Sequence, residues 1–172
     1  PASQGFVVHA PDGHSYKDYI GNAELHGEAA VVFAQLYTEG ENQGVHAFYV
    51  PLRKRGKLLP GVGAEDDGLK GGLNGIDNGR LFFDQVRIPR ANLLNRYADV
   101  EPDGTYSSII ENKGRRFFTQ LGALVQGWAQ QMLDLGHRAD WYFKHCVWMD
   151  PCSTIIHSRD KHKQDAVVAS YG

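Results

Sequence analysis

The strongest constraint on the fold is a change of hydrophobic periodicity along the chain. Before residue 95, short runs rich in Val, Ile, Phe and Tyr are closed by Gly and Pro turn signals, which is typical of strands. From Phe117 onward, apolar residues recur every three or four positions, which predicts an amphipathic helix. Strands followed by helix indicate an α+β protein. We therefore predict an antiparallel, β-barrel-like domain followed by a helical segment.

Five runs carry the strand prediction. Four of them combine β-branched and aromatic residues, the run 58–62 has Val but no aromatic residue, and each is followed closely by a Gly or Pro turn signal. Pro60 confines one run to a sheet edge, because proline cannot donate to a strand ladder. The segment 38–44, rich in Gly, Glu and Asn, indicates a hairpin connection between the second run and the third. The runs are 6–10, 30–37, 45–50, 58–62 and 81–88.

Three parts follow from this pattern: a β-domain over residues 1–94, a connector over 95–116, and the start of a helical domain over 117–172. The connector is polar and contains Pro102-Asp103-Gly104. The helical stripe loses its regularity after Gly136, and residues 157–165 are charged and polar. Ordering a residue's backbone costs about 1–2 kcal/mol. We therefore expect the part beyond Trp128 to contribute little to a stable fold.

Composition excludes several classes of function. The formal net charge is −2 and no long Lys/Arg block occurs, so nothing favours nucleic acid, and we read Arg53-Lys54-Arg55 as a solvated loop. No run of 18 apolar residues predicts a transmembrane helix. Two cysteines and the absence of Asn-x-Ser/Thr fit a reducing, intracellular compartment. The chain starts with Pro and shows no signal peptide, and we expect it to be part of something longer.

Local chemistry offers two candidate sites. Tyr19 stands beside Gly21 and Asn22 at a predicted sheet edge, where a ring and bare backbone could press against a flat ligand, although such a segment is more often a plain turn. Asp77-Asn78-Gly79-Arg80 favours a tight turn. The glycines of residues 68–75 lack the order and the strand-to-helix context of a phosphate loop. These residues alone identify no reaction.

A metal site is not predicted. His145, Cys146, Cys152 and His157 have five residues between the cysteines, whereas structural zinc sites usually have two to four. No Gly-x-Ser-x-Gly nucleophile elbow occurs. We read the acidic run 65–67 as a solvated loop.

Several long stretches nevertheless resemble the acyl-CoA oxidase family, of bacterial or peroxisomal type. Their order and spacing match the family from about residue 5 to residue 127. The stretches are 17–23, 31–36, 44–48, 59–62, 72–81, 86–96, 102–106 and 115–118.

The resemblance implies an architecture and a chemistry. The superfamily has an N-terminal helical domain, a middle β-domain and a C-terminal helical domain, and this chain is similar to the middle domain plus the start of the last. The implied enzyme takes hydrogen from Cα and Cβ of a fatty acyl-CoA in fatty acid β-oxidation, with FAD as cofactor and O2 as final acceptor, giving H2O2. The full-length protein is implied to be a homodimer of the bacterial cytoplasm or the peroxisome.

The family's flavin contacts fall on Tyr19, Gly21 and Asn22, although relatives often carry Trp at the aromatic position. The family's catalytic Glu lies in a later helix, so no catalytic residue is assigned here, and we expect the fragment to be inactive alone. Acyl chain length is not predicted, since the family builds its acyl pocket largely from the helical domains.

Two alternatives stay open for the function. One is an acyl-CoA dehydrogenase that passes electrons to an electron-transfer flavoprotein, and the other is a non-catalytic scaffold or interaction protein that retains the β-domain. The sequence after residue 127 departs from the family, through either a reading-frame disruption or genuine divergence.

Overall fold

The computed structural model describes residues 5–72, 74–122, 126 and 154–158, and most of them form strands. One helix, α1, covers residues 113–122. Short 3-10 turns occupy Gly13–Ser15 and Arg90–Asn92. The strands are β1 Gly5–His9, β2 Lys17–Gly21, β3 Ala29–Thr38, β4 Glu41–Pro51, β5 Arg53–Lys54, β6 Lys57–Leu58, β7 Val62–Asp66, β8 Asn78–Phe83, β9 Val86–Pro89, β10 Ala98–Val100, β11 Tyr106–Ser108 and β12 Thr154–Ser158.

The strands form two main sheets and two hairpins. The larger sheet has the order β4-β3-β12-β1-β9, and the smaller has the order β2-β8-β7. Among the residues described, every strand pairing is antiparallel except that of β12 with β3. The α+β class with a mainly antiparallel β-part is therefore confirmed. In the part of the chain that the structure describes, the strands make separate sheets rather than one closed barrel.

Strand alternation places the core between these sheets. β8 alternates half-buried and buried positions, and its buried positions include Leu81 and Phe83. β1 buries Phe6 and Val8 in the same cluster, and Phe6 meets Phe48 edge-to-face at 5.3 Å. Successive strand residues point to opposite sheet faces, so one face of each strand can pack while the other meets solvent.

The predicted strand over 81–88 is wrong as a single element. A turn at Asp84-Gln85 divides it, with Gln85 at φ 51°, and its halves join different sheets. Asp84 N–H donates to the carbonyl of Gly61 at 2.7 Å, and a Cβ at Gly61 would lie 2.3 Å from the Asp84 carbonyl oxygen. The predicted strand over 58–62 also divides, because β6 ends at Leu58 and β7 begins at Val62.

The region 95–122 is more ordered than a connector pattern suggests. It contains the β10–β11 hairpin, and α1 starts at residue 113 instead of near Phe117. Asn112 caps the helix, since its side-chain oxygen accepts from Arg115 N–H at 2.9 Å. Phe117 meets Phe33 of β3 edge-to-face at 6.2 Å. The three-part domain division remains a prediction.

The expectation that the part beyond Trp128 contributes little to a stable fold fails at one place. Residues 154–158 form β12 inside the larger sheet, so these five residues do take part in the fold. The rest of the helical stripe beyond residue 126, together with His145, Cys146 and Cys152, lies outside the described residues. Among the described residues, no helix has the length and apolar character needed to cross a bilayer.

Candidate functional site

Tyr19 lies in a bulge of β2, the edge strand of the smaller sheet. Lys17 pairs with Leu81 and Ile20 pairs with Gly79, so β2 carries one extra residue between these pairs. Tyr19 has a φ of 57°, a left-handed conformation that is unusual for an aromatic residue. Bulges of this kind redirect a side chain. The Tyr19 ring is 62% exposed as a result.

Two side chains hold the Tyr19 backbone in this conformation. The Asp67 carboxylate accepts from Tyr19 N–H at 3.1 Å, and the Asn78 amide donates to the Tyr19 carbonyl at 3.5 Å. A non-glycine residue in this region costs about 1–3 kcal/mol and persists only where its surroundings hold it. Strain of this kind clusters at functional sites, which makes the exposed ring a candidate ligand contact.

Gly21 and Asn22 leave an open backbone edge beside the ring. Both are exposed, and a Cβ at Gly21 would meet no atom within 4 Å. Asn22 is also left-handed, with a φ of 61°, and its N–H donates to the Asp77 carbonyl at 2.8 Å. A protruding aromatic face next to bare backbone can contact a flat ligand. The structure thus brings together the three residues singled out in the sequence.

The turn that follows, residues 22–27, is fixed by Asp77. Its carboxylate accepts from the backbone N–H groups of Glu24, Leu25 and His26, each at 3.1 Å, and from the His26 ring at 2.9 Å. Burial alone raises the pKa of Asp77, but the His26 ring and the backbone N–H groups outweigh it and lower that pKa overall. The tight-turn interpretation of 77–80 is wrong, since residues from Asn78 onward belong to β8.

Arg53 fixes the same turn from its carbonyl side. The buried guanidinium donates to the carbonyl oxygens of Gly27 at 2.9 Å and Ala23 at 2.7 Å, and also to that of Glu24. The solvated-loop interpretation of 53–55 is therefore wrong for Arg53. Its strand β5 joins β6 through a hairpin turn whose central residues, Arg55 and Gly56, both have positive φ.

The surface next to Tyr19 is acidic. A shallow cavity of about 200 Å³ is lined by Tyr19, Arg80 and four carboxylate side chains. Arg80 donates to Asp18, which raises the pKa of Arg80. Glu65 and Asp66 are exposed as expected, but they lie in β7 and not in a loop. Repulsion from these carboxylates disfavours a phosphate at this edge.

A second polar cluster joins α1 to the larger sheet. His46 is buried, with Nδ1 3.0 Å from the Gly44 carbonyl and Nε2 3.0 Å from the Tyr106 hydroxyl. A carbonyl can only accept, so Nδ1 carries the proton and Nε2 accepts from Tyr106. Burial lowers the pKa of His46 to about 4, the Gly44 carbonyl opposes this, and Arg116 adds to it. The ring is therefore neutral at pH 7.

Arg116 anchors the first turn of α1 against this cluster. Its side chain is buried, donates to the carbonyl oxygens of Ile110 at 2.9 Å and Gln43, and lies 5.6 Å above the Tyr106 ring. The sequence alone assigned no role to His46, Tyr106 or Arg116. It also did not predict that Asp77 and Arg53 fix the 22–27 turn. The contacts that tie the cluster together, His46 with Tyr106 and Arg116 with Gln43, join residues far apart in the chain, so the local sequence carried no signal of them.

Comparison with known proteins points to one family, although no family model matches the chain. The chain is 52% identical over 124 residues to an acyl-coenzyme A oxidase-like protein of Mus musculus, covering 72% of this chain and 20% of that protein. It is 49% identical over 135 residues to acyl-coenzyme A oxidase 2, peroxisomal, of Arabidopsis thaliana, covering 74% and 20%. The chain thus spans about a fifth of the length of the curated relatives it matches.

A solved structure agrees in fold. The acyl-CoA oxidase-1 of Caenorhabditis elegans, complexed with FAD and ATP, superposes with a TM-score of 0.60 at 46% identity. The match covers 62% of this chain and 17% of that one.

Proposed function

The chain belongs to the acyl-CoA oxidase family by sequence and by fold, and we propose on that premise that it is the flavin-facing β-domain segment of an FAD-dependent acyl-CoA oxidase. The enzyme that contains it would remove hydrogen from Cα and Cβ of a fatty acyl-CoA in fatty acid β-oxidation. FAD, when bound, supplies the hydride acceptor and the group that O2 reoxidises with release of H2O2.

The observation that carries this proposal is the geometry of the edge strand β2. Tyr19 would lie against the isoalloxazine ring, and Gly21 and Asn22 would let the backbone approach it closely. Asp77 and Arg53 would keep the adjoining turn rigid, so that the contact surface exists before the cofactor binds. Such preorganisation reduces the entropy lost on binding.

The proposal assigns no catalytic residue to the described part of the chain. By family resemblance the proton acceptor is a Glu of the C-terminal helical domain, and the fragment is proposed to be inactive alone. We propose residues 1–94 as the flavin-contacting domain, 95–116 as the link, and 117–172 as the start of the helical domain. The full-length protein is proposed to be a homodimer of the peroxisome, the compartment named for the Arabidopsis thaliana relative; the relatives give no support for a bacterial cytoplasm.

The first test is a titration of the purified chain with FAD, followed by flavin fluorescence. The purified chain should bind FAD weakly or not at all, because it supplies only one edge of the site and the remaining contacts belong to other parts of the enzyme. A yellow protein with stoichiometric FAD would show that the site is divided differently.

The second test separates oxidase from dehydrogenase. Residues 5–122 would replace the matching segment of the Caenorhabditis elegans acyl-CoA oxidase-1, with the unaltered enzyme as control. The chimera should form H2O2 from acyl-CoA. A folded chimera that reduces an artificial electron acceptor but forms no peroxide would favour the dehydrogenase alternative. A folded chimera with neither activity would favour the scaffold alternative.

A further inference from the structure

β1 and β3, the strands on either side of the centre of the larger sheet, do not pair with each other. β1 pairs with β9 on one side, and β3 pairs with β4 on one side. Their remaining edges face one another across the position of a single strand. β12 occupies that position, antiparallel to β1 and parallel to β3.

The space between β1 and β3 is the interior of a sheet and not a sheet margin. Val8 of β1 and both Ala34 and Leu36 of β3 are fully buried. Backbone N–H and C=O groups next to such residues need partners, because an unpaired buried polar group is costly. With β12 in place, an extended segment between the two strands supplies partners to these groups.

The sequence of residues 154–158 suits a strand between β1 and β3. Residues 154–158 read Thr-Ile-Ile-His-Ser, and three of the five are β-branched, which favours an extended backbone. Four consecutive residues of β12 are in register with each neighbour, and Ile156 lies opposite both Val8 and Leu36. The short strand thus joins the two halves of the sheet.

We propose that β1 and β3 frame a strand-binding slot and that residues 154–158 of the same chain occupy it. Both sides of the slot come from the part of the sequence that resembles the acyl-CoA oxidases. The occupant comes from the part after residue 127, which does not. This chain therefore carries its own complementing strand, a property independent of flavin binding.

Disulfide trapping in the full chain tests the occupant and its register. Cys146 and Cys152 are first replaced by Ser, and the pair Val7→Cys/His157→Cys is introduced, since these residues are Cα partners. Directly opposed residues in an antiparallel pair have Cβ atoms about 4.5–5.5 Å apart, close enough to cross-link after a small adjustment. The control pair, Val7→Cys/Thr154→Cys, is three residues out of register.

The slot predicts an intramolecular disulfide in the paired variant at low protein concentration, and little or none in the control. Equal cross-linking in both variants, or in neither, would overturn the proposal. A disulfide that joins two chains would show that a second copy fills the slot, and would overturn it as well.

A second comparison, of Ile156→Pro with Ile156→Val, tests whether residue 156 lies in a strand. Adding Ile156→Pro to the paired variant should abolish the disulfide, because proline lacks the N–H that a central strand needs. Adding Ile156→Val should leave the yield unchanged. If Ile156→Pro still cross-links as fast as Ile156→Val, residue 156 is not in a strand and the proposal is wrong.

Discussion

Replacement of Asp77 by Ala should destabilise the fold far more than replacement of an exposed carboxylate of the smaller sheet. The Asp77 side chain is only 7% exposed and accepts three backbone N–H groups of the 22–27 turn, plus the His26 ring. Ala would leave all four donors without this partner. The turn would then lose its fixed position beside Asn22, which connects stability with the proposed flavin edge.

The size of the loss in unfolding free energy depends on how well water can replace Asp77 at each donor. Hydrogen bonds to a charged group contribute about 1.5–3 kcal/mol each, but they do not add where water can replace them. Leu25 and His26 are exposed, so water can replace the lost hydrogen bonds of their N–H groups. Glu24 is half-buried, so its N–H group is hydrated less well. We therefore expect Asp77→Ala to lower the free energy of unfolding by about 3 kcal/mol, and Asp77→Asn by about half as much, because the amide keeps one acceptor.

Urea unfolding of the full chain, followed by circular dichroism, measures this loss. With a urea dependence of about 1–3 kcal/mol per M, a loss of this size moves the midpoint by about 1–3 M. Asp66→Ala, an exposed carboxylate on β7, is the control and should stay within about 0.5 kcal/mol of the unaltered chain. Equal effects of Asp77→Ala and Asp66→Ala would refute the reasoning.

Three further predictions concern the clusters around this turn and the helix. Because burial lowers the pKa of His46 to about 4, below the unfolded value of about 6.5, the free energy of unfolding should fall as pH drops between these values; His46→Gln should flatten that slope in urea titrations. Arg116→Met should destabilise the chain and reduce its helical circular dichroism signal, while the exposed Arg115→Met should do neither. Gly61→Ala should lower the melting temperature, since its Cβ would meet a main-chain oxygen at 2.3 Å and φ is +82°, whereas Gly21→Ala should not; equal melting temperatures would contradict this.

Strands β1, β3 and β4 were predictable because the information is local, whereas β2, β5, β10 and β11 were not predicted. Alternating β-branched and aromatic runs closed by Gly or Pro specify an extended backbone on their own. Sheet membership is not local. The break at Asp84-Gln85 is accompanied by a contact with Gly61, more than twenty residues earlier, and the polar pair alone did not reveal it. β12 was missed because a strand signal of only three β-branched residues, followed by a polar stretch, is too short to indicate a strand without its partners.

In the candidate site, too, the part that depends on local sequence was predicted and the part that depends on long-range contacts was not. Tyr19 was identified from an aromatic residue beside Gly and Asn, and from family resemblance. The groups that hold its surroundings were not. Asp77 is about fifty residues from the turn that it fixes, and Arg53 is about thirty residues from it. Local chemistry therefore favoured a tight turn at Asp77 and a solvated loop at Arg53, and it could not reveal partners supplied by tertiary packing.

The central claim, that Tyr19 contacts flavin, is tested most directly by FAD affinity in the oxidase chimera. Tyr19→Ala should raise the dissociation constant for FAD by roughly tenfold, as expected for loss of an aromatic stacking contact of about 1–1.5 kcal/mol. Tyr19→Trp should bind at least as tightly as Tyr19. Tyr49, another exposed tyrosine at 48%, provides the control Tyr49→Ala, which should not change affinity. If Tyr19→Ala and Tyr49→Ala bind FAD equally well in a folded chimera, this edge does not face the flavin.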